Sequence, residues 1–282
     1  MKYRLIGDSC SDLDAGRKAD PHYTIVPLSL QIGNYQILDD ASFNQKDFLN
    51  RVKKSNTSSK TACPSPQNFK NAYECEEDNI FVITLSEHLS GTYQSAVIGR
   101  QLFEEEHGSG VKNIFVLSSH GASATQLRIF IELERLINQG FDFNKICDEI
   151  TKFRDRAKTY FVLEDLETLR KNGRLSGLSA FFATRLNIKP VMGAEGGRIV
   201  KLDQARGINK ALAKLVEIAQ KDAKLLPGEK TVVITHVNNP ERSEYVAELF
   251  RNTRQFKDIV ISEAAGVATV YACDGGIVVG LG

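Results

Sequence analysis

No two of the five cysteines, Cys10, Cys63, Cys75, Cys147 and Cys273, form a C-x-x-C pair. An odd, scattered set argues against a disulfide framework and against a zinc site. Reduced thiols in a cytoplasmic protein are the expectation. There is no G-x-x-x-x-G-K-[ST] loop and no G-x-G-x-x-G turn after a strand, so the usual nucleotide cradles are excluded. No apolar run approaches the length of a membrane span, and residues 1–8 are too short and polar for a signal peptide. Stable membrane insertion is therefore not expected. Charge of neither sign prevails: 36 basic and 35 acidic side chains leave a formal +1, too little for a nucleic-acid-binding field. There is no internal repeat and no low-complexity tract.

What is present is an ordinary globular composition, 42% hydrophobic and 25% charged, in a 282-residue chain long enough for one large or two modest domains. The central stretch is residues 85–96, Leu-Ser-Glu-His-Leu-Ser-Gly-Thr-Tyr-Gln-Ser-Ala. An apolar β-branched run at 79–84 precedes it, and a helical pattern at 93–103 follows. It is thus a strand-to-helix turn, the place where parallel α/β sheets bind ligands. Ser86, Ser90, Thr92 and Gly91 offer hydroxyls and a close backbone approach for an anion. The same pattern also suits a plain helix cap by Ser90 or Thr92. A second hydroxyl-rich loop, 56–65, leads into Ser65-Pro66, a cap followed by a first-turn proline. Strand, polar turn and helix recur through residue 158, which predicts a largely parallel sheet flanked by helices. Beyond a boundary placed at Leu163 the texture changes. Residues 164–282 are expected to form a second α/β domain with a mixed sheet, and 268–281 to mix strand with the 274–276 turn. The fold class is α/β in two domains, 1–163 and 164–282, with the ligand between them.

Several segments together resemble one family. Asp8-Ser-Cys-Ser-Asp12 resembles the opening signature of the DegV proteins, and Val26-Pro-Leu28 their short Pro-Leu strand. Thr61-Ala-Cys-Pro-Ser65 resembles their Thr-Ser-Gln-Pro-Ser loop, and Leu89-Ser-Gly-Thr-Tyr-Gln-Ser-Ala96 their central motif. Residues 168–176 with Asn187-Ile-Lys-Pro190, and Ala205-Arg-Gly207, match further segments in order over nearly the whole chain. The resemblance implies a fatty-acid-binding protein, a carrier without turnover of its own. It also implies a partner, an ATP-dependent fatty acid kinase that phosphorylates the bound acyl carboxylate. Thr61 and Ser90 would hold the carboxylate, with Ser86 in the same group. Arg206 corresponds to an arginine tied to the kinase interaction. The family's C-terminal His-x-Gly-Pro-Gly segment is replaced here by Val270-Tyr-Ala-Cys-Asp-Gly-Gly276. Tyr271 or Ala272 takes the histidine's place, and Tyr271 would offer a phenolic hydrogen bond. No cofactor or metal is implied.

Two hydroxyls and helix-end amides suit a singly charged head group better than a phosphate. Affinity would come from the chain: ten buried methylenes at ~0.8 kcal/mol each give roughly 8 kcal/mol, about micromolar. Phe181, Phe182, Leu186 and Ile188 are the candidates for the acyl slot, plain core being the alternative. Arg174, in a glycine-interrupted turn, is either solvated or a contact for the kinase. Two other functions compete. Ser90 as nucleophile of an acyl hydrolase or transferase would need a base within reach, and no G-x-S-x-G elbow is present; His88 is the nearest imidazole in sequence. A DNA-associated regulator has no helix-turn-helix and no basic field to support it.

Overall fold

The computed structural model describes residues 1–175, 187–228 and 230–282, and within them the chain builds three sheets. The first third runs β1 (Tyr3–Asp8), a 3₁₀ turn (Ser9–Ser11), α1 (Ala15–Ala19), β2 (Tyr23–Val26), β3 (Ser29–Ile32), β4 (Tyr35–Leu38), α2 (Gln45–Lys54), β5 (Lys60–Ala62) and α3 (Pro66–Tyr73). Then come β6 (Asn79–Thr84), α4 (Thr92–His107), β7 (Asn113–Ser118), α5 (Ala124–Asn138), α6 (Phe143–Arg156), β8 (Lys158–Val162) and α7 (Glu167–Lys171). The remainder is β9 (Ile188–Glu195), β10 (Arg198–Arg206), α8 (Ile208–Ala223), β11 (Thr231–His236), α9 (Pro240–Arg251), β12 (Asp258–Glu263), α10 (Gly266–Ala272) and β13 (Ile277–Leu281).

The expected parallel sheet is there, with strand order β2-β1-β6-β7 and every pairing parallel. Its inner strands are apolar on both faces, as two-sided burial requires: Ile80, Phe81, Val82 and Ile83 of β6 are all solvent-free. The mixed sheet is also there, ordered β10-β9-β8-β13-β11-β12, with β11–β12 parallel and the other pairs antiparallel. β8 ends one residue before Leu163, yet it pairs with β13 and β9 inside this second sheet. By strand pairing the second unit therefore starts at Lys158, ahead of the expected boundary. A small antiparallel sheet, β4-β3-β5, carries the Gly33 hairpin and Thr61.

Helix α5 joins the two large sheets. Ten of its fifteen residues are buried, Thr125, Gln126, Arg128 and Glu132 among them. Leu127, Phe130 and Leu133 share one core with Leu5, Phe81 and Ile83 of the parallel sheet and with Val233 of the mixed sheet.

The segment expected to continue as strand from 268 instead forms α10, and β13 begins at Ile277. Val267, Thr269 and Val270 read as strand because β-branched residues favour it. The helix forms because its first amides are held from far away. Ala265 N–H donates to Asp12 Oδ1 (2.6 Å), and Gly266 and Val267 N–H donate to the two oxygens of Asp39 (2.7 and 2.8 Å). No side chain of its own caps it.

Candidate functional site

A cavity of about 830 Å³ of atom-free space, its mouth included, opens between the parallel and mixed sheets. Its walls are mostly hydrocarbon: Leu28, Leu85 and Leu89 come from the N-terminal half, Phe161 from β8, Ile199 from β10 and Val278 from β13. Small residues, among them Gly121, Ala122, Ala194 and Ala268, leave the room. Among the polar residues on this wall are Thr61, Ser90, Arg174 and Tyr271, and Thr61, Tyr271 and Arg174 lie against one another.

Each reaches the cavity for a local reason. Thr61 lies on β5, opposite Leu30 of β3. Its hydroxyl meets the Tyr271 hydroxyl at 3.0 Å, across 210 residues of sequence. Tyr271 stands in the last turn of α10. The Arg174 guanidinium carbon lies 5.5 Å from the Tyr271 ring centroid, within cation–π range. Arg174 Nε also donates to the Leu89 carbonyl (3.3 Å), and Nη1 donates to the Asn172 carbonyl. Arg174 is thus drawn into the polar corner of the cavity and supplies a cation beside the two hydroxyls.

The central loop is a tight turn. Asp8 Oδ2 accepts from Leu85 N–H at 2.7 Å, and the Gly121 carbonyl from Ser86 N–H at 2.8 Å. Leu89 and Ser90 N–H both donate to the Ser86 carbonyl, at 2.9 and 3.1 Å. This turn lifts Ser90 to the start of α4, where its Oγ lies 2.9 Å from Thr92 Oγ1 and accepts weakly from Thr92 N–H (3.3 Å). Ser90 therefore lines the cavity and braces the turn before α4, whose N-cap is Gly91 with no side-chain cap bond. Its hydroxyl is bonded to a hydroxyl, with no imidazole among its hydrogen-bond partners in the described residues. The two hydroxyl-rich loops touch, because a Cβ at Gly91 would lie 3.3 Å from Cys63 Sγ.

Other expected residues stand elsewhere. Ser86 is fully buried and spends its hydrogen on the Gly197 carbonyl (2.8 Å), tying the central loop to the β9–β10 turn instead of lining the cavity. Ser65 caps α3 in a reciprocal pair with Asn68, so this helix start serves itself. The two cavity-facing hydroxyls, of Thr61 and Ser90, therefore sit on a strand and before one helix start, not at paired helix termini. Ile188 opens β9, half-buried and opposite Arg206, and is not part of the cavity lining. Phe181, Phe182 and Leu186 lie outside the described residues. Arg206 ends β10, exposed and away from the lining. Ala272 contributes a methyl group to the wall, next to the hydroxyl of Tyr271.

The wall residues on β8, β10 and β13 carried no sequence signal. In β8 and β13, largely buried on both faces, period-two alternation is lost, and nothing distinguishes a residue facing a cavity from one facing a helix.

Beneath the site lie three buried carboxylates, Asp8, Asp12 and Asp39. Burial pushes Asp8 up to about 6 and Asp12 up to about 7, and raises Asp39. Asp8 is pulled back by amide donors from Leu85 and Cys10 and by the Gln126 side chain.

A family model described as uncharacterised proteins of the DegV family matches residues 2–281. A DegV domain-containing protein of Streptococcus pyogenes is 32% identical over 283 residues, with 99% of each chain covered. A solved DegV-family protein of Ruminococcus gnavus, refined with vaccenic acid, is 39% identical with a TM-score of 0.93, covering 99% of both chains. The fatty acid kinase B3 protein of Streptococcus pneumoniae, loaded with linoleic acid, is 30% identical with a TM-score of 0.89, again covering 99% of both.

Proposed function

We propose that this chain, which belongs to the DegV family, binds a long-chain fatty acid in the cavity between its sheets and presents the carboxylate to an ATP-dependent fatty acid kinase. The observation that carries this reading is the cavity's polarity. A hydrocarbon-walled space has two paired hydroxyls, Thr61 and Tyr271, with a guanidinium beside them, a match for an amphiphile with one anionic end. The vaccenic and linoleic acids carried by the two solved relatives support it.

The residues divide the work. Apolar walls hold the acyl chain at ~25 cal/mol per Å² buried, so the tail sets most of the affinity. Thr61, Tyr271 and Ser90 donate hydrogen bonds that aim the carboxylate. Arg174 offers the charge-assisted partner, whose bond is roughly twice as strong as a neutral one. Nothing in this arrangement transfers a proton or makes a covalent bond. Chemistry on the carboxylate belongs to the kinase, which meets the lipid at the polar corner.

Native mass spectrometry of the purified protein, followed by organic extraction, tests the reading. A stoichiometric fatty acid is expected. A clean apo mass that persists after incubation with oleic acid would refute it. The double variant Thr61→Ala with Ser90→Ala should stay folded and lose occupancy. Arg206 lies outside the cavity, so Arg206→Ala should leave lipid loading unchanged while slowing acyl-phosphate formation by a cognate kinase. Loss of both together would make Arg206 a structural residue.

A further inference from the structure

Helix α10 is poorly equipped to form alone. It opens with Gly266 and Val267, continues through Thr269 and Val270, and has no capping side chain of its own. It is nevertheless the element that carries Tyr271. Its two ends are fixed to the same small sheet. At the last turn, Tyr271 meets Thr61 of β5 at 3.0 Å. At the first turn, Gly266 and Val267 donate to Asp39, the residue that follows β4.

The contact at the first turn is close. A Cβ at Gly266 would lie 2.7 Å from Asp39 Oδ1 and 2.3 Å from Leu30 Cδ1, so glycine is required there. Leu30 is the residue that pairs with Thr61 across β3 and β5. Anchor and target are thus neighbours on one sheet. Asp12 adds a third amide bond through Ala265, and Gln45 Nε2 donates to the Ala264 carbonyl (2.8 Å) and to Thr269 Oγ1 (3.1 Å). The Thr61–Tyr271 bond tolerates only about half an ångström of movement before it passes ordinary hydrogen-bond reach.

We infer that Asp39, aided by Asp12, is a positioning residue for head-group recognition: it fixes the first turn of α10 so that the Tyr271 hydroxyl, one and a half turns on, meets Thr61 at the polar corner of the cavity. This inference rests on the fatty-acid reading of that cavity. Asp39 does not touch the ligand. It acts through the helix.

The test has one arm with ligand and one without. In the first, oleic acid and methyl oleate are titrated into the wild type, Asp39→Asn, Tyr271→Phe and the double variant. Asp39→Asn is expected to weaken oleic acid roughly fivefold, as one lost hydrogen bond would, and to leave methyl oleate within about twofold of its wild-type value. Adding Tyr271→Phe to it should cost nothing more. Equal weakening of acid and ester, or a full extra loss in the double variant, would make Asp39 a structural residue only and overturn the proposal.

In the second arm the eight tyrosines are labelled as 3-fluorotyrosine, and the Tyr271 resonance is assigned by its loss in Tyr271→Phe. In ligand-free Asp39→Asn that resonance should shift while the others hold. An unmoved resonance overturns the proposal whether or not lipid binds. A shifted resonance in a protein that takes up neither lipid would refute the fatty-acid reading and keep Asp39 as the anchor of α10. If Asp39→Asn does not fold, Asp12→Ala removes one of the three amide contacts and is read in the same two ways.

Discussion

Thr61 and Tyr271 share one hydrogen bond at 3.0 Å, and either hydroxyl can be the donor. A carboxylate arriving there would receive a hydrogen bond from each, so the two side chains should act as a unit. Thr61→Val and Tyr271→Phe are each expected to weaken fatty-acid binding by about 1 kcal/mol, and together by less than the sum. Calorimetric titration of the four proteins measures the coupling; strict additivity would show that the pair does not contact one head group. Gly197 gives a second residue-scale prediction. It has φ +81°, and a Cβ there would lie 2.6 Å from Ser86 Oγ and 3.3 Å from the His120 backbone. Its neighbour Gly196, φ +52°, faces open space. Both alanine variants incur the left-handed cost of roughly 1–2 kcal/mol. Gly197→Ala should lose more, and the difference in urea midpoints reports how tightly the β9–β10 turn sits on the central loop. Ser86 explains why residue type alone misled here. A serine in a ligand loop looks like a ligand donor, but its partner, the Gly197 carbonyl, comes from 111 residues away in the other sheet. Arg174 shows the reverse. A turn arginine in a family-like segment reads as solvated or as a partner contact, and only the folding of 172–174 against Leu89 and Tyr271 brings it to the cavity wall.

At the scale of elements, the strand-to-helix turn at 84–92 and the Ser65-Pro66 helix start were legible because their signals are local: apolar run, hydroxyl, glycine, proline. Helix α10 was not, because what makes it a helix is a set of carboxylates from the opposite end of the chain. Those carboxylates give a pH prediction. Asp12 titrates near 7 in the folded protein because burial penalises its charge, against about 3.9 in an unfolded chain. Among the described residues its Oδ2 makes no hydrogen bond of ordinary geometry, so this oxygen has room for a proton while Oδ1 keeps the Ala265 amide. The folded state therefore binds a proton that the unfolded state releases. The associated stability is fully present below pH ~4 and is lost as pH rises through about 7. Thermal midpoints should fall between pH 5 and 8, scanned as pH ~5, ~6, ~7 and ~8. Asp12→Asn should flatten that slope; an unchanged slope would mean that the proton resides elsewhere.

For the molecule as a whole, the alternation of strands and helices was enough to foresee two α/β units, but not how they are joined. The amphipathic pattern of helix α5 marks an apolar face but not which sheets it meets. Its Leu133 is solvent-free in the core common to both sheets. Leu133→Ala is expected to cost about 2–5 kcal/mol. Because the sheets share that core, circular dichroism and tyrosine fluorescence should still report one coincident transition. Two separated transitions would show that the sheets unfold independently.

The long-range anchoring of α10 also bears on synthesis. Asp12 emerges from the ribosome 253 residues ahead of the amide it will hold. At about 5–20 residues per second that is a wait of roughly 13–50 s. From the emergence of β7 onward, the nascent chain has all four strands of the parallel sheet while its acidic sockets stay unfilled. The cavity then assembles last, when the polypeptide's beginning closes on its end, so a truncated product would lack the tyrosine that pairs with Thr61 on its wall.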